Sequence, residues 1–348
     1  MNSPDLPPSP NPVIDMHCHA AGIGAGASGC RVHPRLARNL RFGFYLRAFG
    51  VSRRDLADCG DCLVLDRIAE GVAASGSVNQ AVVLALDGVV DSRGRTDFDR
   101  TEVLVPDDFV ADGAARHPQL LFGASINPLR ADALERLARA HSRGAVLVKW
   151  LPAIQEFDPA DRRILPFLRR LAELGLPLLT HTGTEHSFTR ARDEFSDPER
   201  LRPALREGVT VIAAHAASSG RYAGEPGLSR LARLAREFPT LYADISALTL
   251  VNRIGRLPSV LASRELEGRL LFGTDYPLVA MRPLVSPWPV APRLGFRAAQ
   301  AIARIPNPWD RDVALKQALG ADRALFERAA QVLRLTQTLR LRPAVCVR

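Results

Sequence analysis

Two histidines one residue apart, His17 and His19, end the apolar run Pro12-Val13-Ile14-Asp15-Met16-His17-Cys18-His19. In an extended chain residues i and i+2 project to the same side, so both imidazoles can face one point and share a metal ion. Four further short apolar runs stop at or beside a residue able to serve the same site: AVLVKW at Lys149, LPLLTH at His181, VTVIAAH at His215 and LLFGTD at Asp275. Imidazole nitrogens and carboxylate oxygens together suit Zn²⁺ and related divalent ions. Asp275 could bind the ion and also orient its water. The recurrence of such runs in this order points to a site at the C-terminal mouth of a β/α barrel, where these barrels place their chemistry.

Lys149 stands out for a second reason. Nearly every basic residue is arginine, and the only lysines are Lys149 and Lys316. A desolvated lysine can lose its proton and serve as nucleophile, base or carbamate, which arginine cannot. The alternative is a plain charge partner for a carboxylate.

The elements that would position these residues alternate, as in a parallel α/β fold. Strands are predicted over 12–19, 80–87, 120–127, 145–150, 177–181, 209–215, 241–246 and 270–275. Helices are predicted over 63–73, 106–117, 131–141, 158–174, 198–207, 228–238, 258–267 and 321–335. Eight strands with helical crossovers give a fold class of α/β, a single (β/α)8 TIM barrel. An open doubly wound sheet is the other arrangement, but the Gly-rich phosphate loop expected there is missing. Residues 1–11 read as a proline-rich lead-in, 12–338 as the barrel and 339–348 as a basic tail. The Gly- and Arg-rich segment 20–61 exceeds an ordinary βα loop and is expected to form a lid or substrate-facing insertion, its arginines available to hold a carboxylate.

Composition narrows the function. Hydrophobic residues make up 47% of 348, enough for a sizeable core. The net charge of +9 is spread over helix faces beside acidic residues, with no basic run or nucleic-acid motif, so nucleic acid is not an expected partner. No apolar run approaches the ~18 residues of a membrane span. The first residues lack the pattern of a secretory signal, so the expected location is the cytoplasm and no membrane partner is expected. Five cysteines, Cys18, Cys30, Cys59, Cys62 and Cys346, do not suggest a disulfide framework, and Cys59-Gly-Asp-Cys62 lacks a second pair at zinc-site spacing.

The motifs IDMHCH, VKWLP, LLTHTG, VIAAH and LFGTDYP, in this order from about Val13 to Leu335, resemble the amidohydrolase superfamily. The closer resemblance is to its amidohydrolase-related branch, which includes the aminocarboxymuconate-semialdehyde-type decarboxylases. The resemblance implies a distorted TIM barrel of the metal-dependent hydrolase type. It implies a divalent metal, zinc foremost, held by His17, His19, His181 and Asp275, with His215 as general acid/base or as ligand to a second metal. One metal is the expected number. In the two-metal branch a lysine at the position of Lys149 is carbamylated and bridges the ions. Glu185 and His186, just beyond strand five, are candidates to touch substrate, or else cap a helix or pair with an arginine. His33, His117 and His141 are not carried into the site. The expected function is hydrolysis of a small ester, lactone or amide by metal-activated water, with His215 and Asp275 catalytic. The alternatives are non-oxidative decarboxylation of a small aromatic or dienoic acid, and a catalytically idle scaffold. The expected partner is a small-molecule substrate, and a homodimer would be ordinary for the family.

Overall fold

Short runs of valine, leucine and isoleucine bounded by glycine, proline and polar residues favour strands buried on both faces. A computed structural model describes residues 11–185 and 188–335, without the side chains of Leu40 and Arg41. The runs form β1 (Ile14–His19), β2 (Gln80–Leu84), β3 (Leu120–Ala124), β4 (Leu147–Trp150), β5 (Leu178–Thr180), β6 (Val211–Ala213), β7 (Leu241–Asp244) and β8 (Leu270–Leu271). They pair in chain order into one eight-stranded parallel sheet. The chain beyond β8 closes it onto β1. Met16 N–H donates to the Phe272 carbonyl at 3.3 Å, Asp275 N–H to His17 at 2.8 Å and His19 N–H to Tyr276 at 2.8 Å. The fold is a parallel β/α barrel.

Most strands are shorter than predicted because their last residues turn away from the ladder to form the mouth. The segment after β1 is not one long loop. It folds largely into α1 (Leu40–Ala48) and α2 (Arg53–Cys59) before α3 (Cys62–Ala73). Around the barrel follow α4 (Asp107–Arg116), α5 (Ala133–Ser142), α6 (Leu165–Leu174), α7 (Arg202–Arg206), α8 (Gly227–Glu237), α9 (Leu257–Leu261), α10 (Phe296–Arg304) and α11 (Pro308–Ala318). The helix predicted over 321–335 is two short pieces, Arg323–Glu327 and Ala329–Val332. Among the described residues no helix is long and apolar enough to cross a membrane, and Cys18, Cys30, Cys59 and Cys62 are free thiols.

Period-two alternation divides the core. Ile14, Met16, Val82, Leu84, Leu121, Leu147, Leu179, Ile212 and Leu271 fill the barrel interior, closed below by Ala329 and Leu333. Their neighbours Val83, Phe122, Val148, Trp150, Leu178 and Phe272 pack outward against the helices. The same parity carries Lys149 (two after Leu147) and His181 (two after Leu179) inward, above the apolar fill. In β1 the parity changes: register slips between Asp15 and Cys18. Ile14 and Met16 point in, Cys18 points out, and His17 and His19 therefore point in.

The helix α11 pins the strands that carry the site. Trp309 Nε1–H donates to Asp15 Oδ2 at 2.9 Å and its ring stacks on Tyr276 at 4.5 Å. Thr249 Oγ–H donates to Asp312 Oδ1 at 2.5 Å, and Lys316 donates to the Gly273 carbonyl at 2.8 Å while pairing with Asp312. Gly273 has no room for a side chain, since a Cβ would lie 2.9 Å from that of His17. Lys316→Ala leaves the Asp312 carboxylate buried without its cation, a change that costs about 3–5 kcal/mol. Its urea midpoint is expected well below that of a Lys316→Met/Asp312→Leu double variant, and equal midpoints would show that the pair is not coupled.

Behind β3 and β4 a polar belt fixes Lys149. Ser125 Oγ–H donates to the Lys149 carbonyl at 2.9 Å, and Ser125 N–H donates to Asp107 Oδ1 at 2.8 Å. Burial, with the Asp87 charge adding to it, raises the Asp107 carboxyl to about 7. The raised folded-state value favours the neutral acid. Its contribution to stability is full below the ordinary carboxylate range and is lost as pH rises through about 7. Asp107→Asn cannot ionise, so its melting temperature relative to the parent is expected to climb by a few degrees between about pH 5 and about pH 8. A difference independent of pH would contradict the raised value.

Candidate metal centre

Four imidazoles, one carboxylate and one amine meet above the barrel fill. His17 is fixed from behind. Its Nδ1 lies 2.8 Å from Asp244 Oδ2, an acceptor, so Nδ1 carries the proton and Nε2 presents a lone pair to the mouth. His19 Nε2 lies 3.2 Å from that Nε2, and Asp275 Oδ1 lies 3.1 Å from His19 Nε2 and 3.5 Å from His17 Nε2. Lys149 Nζ reaches His17 Nε2 at 3.0 Å. The His181 ring packs edge-on to His215 at 5.1 Å, and its Nε2 is buried with no hydrogen-bond partner among the described residues.

These observations test whether an ion fits. Four donors at the usual ~2.1 Å from a tetrahedral Zn²⁺ stand about 3.4 Å apart. The separations among His17, His19 and Asp275 match that figure. A buried nitrogen left without a hydrogen bond is costly. His181 Nε2 is such an atom, although of the four expected ligands only His17, His19 and Asp275 have donor atoms within 4.8 Å of one another. The residues therefore fit a divalent cation. A second group, His17, His215 and Asp244, also has donor atoms within 4.8 Å of one another. Its Nδ1 atoms are already spent on hydrogen bonds at 2.8–3.0 Å, so it reads as a clamp.

Asp244 is the hub of that clamp. It accepts from His17 Nδ1–H, from the Ser246 hydroxyl at 2.5 Å, and from the backbone N–H of His215 at 2.8 Å and of Ser246 at 3.0 Å. Burial alone would raise its carboxyl, but the charge and hydrogen bond of His17 hold it below the usual range. His215 leaves the strand path at φ 58°, and its Nδ1 faces the Ser246 carbonyl at 3.0 Å and the Ser246 hydroxyl at 2.8 Å. The Ser246 hydroxyl donates to Asp244, so both neighbours of this Nδ1 are acceptors, Nδ1 holds the proton and Nε2 is the open base.

Burial lowers the basicity of all three inner histidines. His17 falls to about 4, aided by the Lys149 charge, and His181 and His215 fall too, with Arg253 adding to both. Burial also lowers Lys149 to about 8, against the pull of Asp244 and Asp275. For Asp275 burial is outweighed by the hydrogen bond from His19 and the charge of His17, and the carboxyl lies well below its ordinary range.

The family model for amidohydrolases matches residues 14–295. The chain belongs to the amidohydrolase family. No curated protein sequence matches it. Among solved structures it is similar to an uncharacterised TIM-barrel protein from Bordetella bronchiseptica (19% identity, 89% of this chain and 99% of that one, TM-score 0.52). It is also similar to a candidate 2-pyrone-4,6-dicarboxylic acid hydrolase from Pseudomonas putida (17% identity, 93% and 97%, TM-score 0.52). A third, a probable 2-pyrone-4,6-dicarboxylic acid hydrolase from Acinetobacter baumannii with citric acid bound, matches at 13% identity over 94% and 97% with TM-score 0.50. At these identities the likeness speaks for the fold.

In this amidohydrolase the sequence-derived residues His17, His19, Lys149, His181, His215 and Asp275 come together. Glu185 also reaches the site, its carboxylate 3.6 Å from His181 Nδ1. His186 lies outside the described residues. His33 caps the turn at Arg35 and His117 pairs with Asp66, both away from the cluster. Sequence reasoning missed Asp244 and Ser246, although the run LYADIS ends a predicted strand with a carboxylate, which was the available signal.

Above the cluster opens a cavity of about 900 Å³, its mouth included. The insertion after β1 does face it, as expected, but not with arginine. Among the described residues Val32, Leu36, Phe42, Tyr45 and Phe49 line it, and no arginine does. Arg31 stacks over Phe98 at 4.2 Å, Arg47 over Phe44 at 6.0 Å and Arg53 over Phe42 at 5.1 Å. Planar guanidiniums pack on aromatic rings and keep their charge in water, while Leu36, Phe42 and Phe49 turn to the cavity.

Proposed function

We propose that this amidohydrolase uses one divalent metal ion to hydrolyse a small ester, lactone or amide. Asp275 carries the reading: an ionised carboxylate within 3.5 Å of the Nε2 atoms of both His17 and His19, beneath a cavity with room for a small carbonyl compound. His17, His19, His181 and Asp275 would hold the ion, and three nitrogens with one carboxylate favour zinc. When bound, the ion supplies Lewis acidity toward a carbonyl oxygen and toward water.

The chain's own residues supply the proton chemistry. Asp275 orients the attacking water and accepts its proton. His215, with Nδ1–H tied to Ser246, has only Nε2 to offer, so it first accepts a proton and then returns it to the leaving oxygen or nitrogen. The apolar walls keep bulk water from the reacting carbonyl. Decarboxylation is the weaker reading because it needs a held carboxylate, and the one amine lining the cavity, Lys149, is engaged with His17. A solved structure of the same fold described as a candidate pyrone-dicarboxylate hydrolase is compatible with hydrolysis.

Lys149 decides the metal count. An ammonium cannot stay 3.0 Å from a nitrogen that has taken up a cation, so Lys149 must then be neutral, displaced or carbamylated. We expect one metal equivalent per chain by elemental analysis, and the same equivalent in Lys149→Ala. Two equivalents in the parent, falling to one in the variant, would make Lys149 a bridging carbamate. Chelation should abolish hydrolysis of a lactone and ester panel, with zinc restoring it. A zinc-loaded protein that releases CO₂ from aromatic acids and leaves the panel intact would replace hydrolase by decarboxylase.

A further inference from the structure

The cavity has a polar floor and apolar walls. Above the cluster stand Val32, Leu36, Phe42 and Phe49 of the insertion, joined by Val103 and Phe188. Among the described residues the one cation that lines the space is Lys149, and it lies at the floor with Nζ on His17. The same space is lined by a second carboxylate, Glu185, 3.6 Å from His181 Nδ1.

We propose that the site takes neutral carbonyl compounds whose alkyl or aryl part packs against the walls of the insertion, and that it rejects substrates bearing a carboxylate on that part. This rests on the hydrolase reading and names its substrate class. An ionised carboxylate moved from water to these walls loses its hydration and meets no cation among the described residues that line them, Arg253, whose charge reaches His181 and His215, not being one of these. An alkyl chain gains about fourfold in affinity for each methylene buried. Leu36 and Val32 are the specificity-determining residues, since a cation placed at either would give an anion the partner it lacks.

Binding tests this apart from turnover. The probe is a cyclohexanone with a pentyl chain beside its carbonyl, which cannot be hydrolysed, against the same ketone with that chain ended in a carboxylate. Calorimetric titration into zinc-reconstituted protein should show the neutral ketone binding at least about tenfold tighter. Leu36→Arg should narrow or reverse the ratio, and Val32→Arg, less buried, serves the same purpose if the first does not fold. Equal or tighter binding of the carboxylated ketone to the parent, or no binding of either, overturns the proposal. Matched lactones then separate the two claims. A neutral ketone that binds while no lactone is hydrolysed supports the apolar site and removes the hydrolase reading. Hydrolysis that favours the carboxylated lactone overturns the proposal and keeps that reading.

Discussion

Asp275→Asn is expected to give a folded protein that no longer hydrolyses its substrate. Asparagine keeps the size of the side chain and tolerates the left-handed backbone that Asp275 adopts at φ 65°. The backbone bond from Asp275 N–H to the His17 carbonyl, 2.8 Å, is unaffected, so barrel closure survives. What disappears is the charge facing His17 and His19, which among the described residues is the only carboxylate within 3.5 Å of both Nε2 atoms. Loss of a general base alone removes about 10²–10⁴ in rate, and a weakened ligand set adds to it, so kcat/KM should fall by at least about a thousandfold. The rate must be measured with saturating zinc, beside a thermal melt of the same preparation. A parent-like melt with activity gone is the expected pair of results. Activity within tenfold of the parent would remove Asp275 from the mechanism.

The strand-end residues were legible because two local rules act together. Apolar runs specify buried strands, and period-two parity places the residue after the run. Lys149 and His181 obey both. His17 and His19 share a face as their spacing predicts, yet which face depends on the slip between Asp15 and Cys18. Nothing in IDMHCH announces that slip. His215 departs from parity through its left-handed backbone, and only the surrounding structure selects that conformation. Asp244 was hidden for another reason. Its partner His17 is 227 residues away, and pairing across a closed barrel leaves no local mark. The arginines of the insertion misled because their number was read without their phase. Leu36, Phe42, Leu46 and Phe49 are buried, while the arginines with described side chains around them turn to solvent or stack on rings.

Asp244→Asn is expected to separate metal binding from the proton chemistry. The carboxylate accepts four hydrogen bonds and donates none. An amide must aim its NH₂ at one of those donors. If it faces His17, Nδ1 becomes the acceptor, the proton moves to Nε2 and the lone pair that faces the mouth is gone. If it faces Ser246 or the His215 amide, two donors oppose each other in a buried site. Removing such a partner of a metal-facing histidine typically costs 10–100-fold in metal affinity, and an unmatched buried donor costs about 1–3 kcal/mol. Competition with a chelator should show the weaker zinc binding, and a urea melt the lost stability. Excess zinc should then restore much of the hydrolysis to Asp244→Asn, because Asp275 and the Nε2 of His215 remain in place. The same zinc should restore nothing to Asp275→Asn. Unchanged zinc affinity in Asp244→Asn would mean that the open Nε2 of His17 does not depend on Asp244, and the assignment of His17 as a ligand would lose its physical basis.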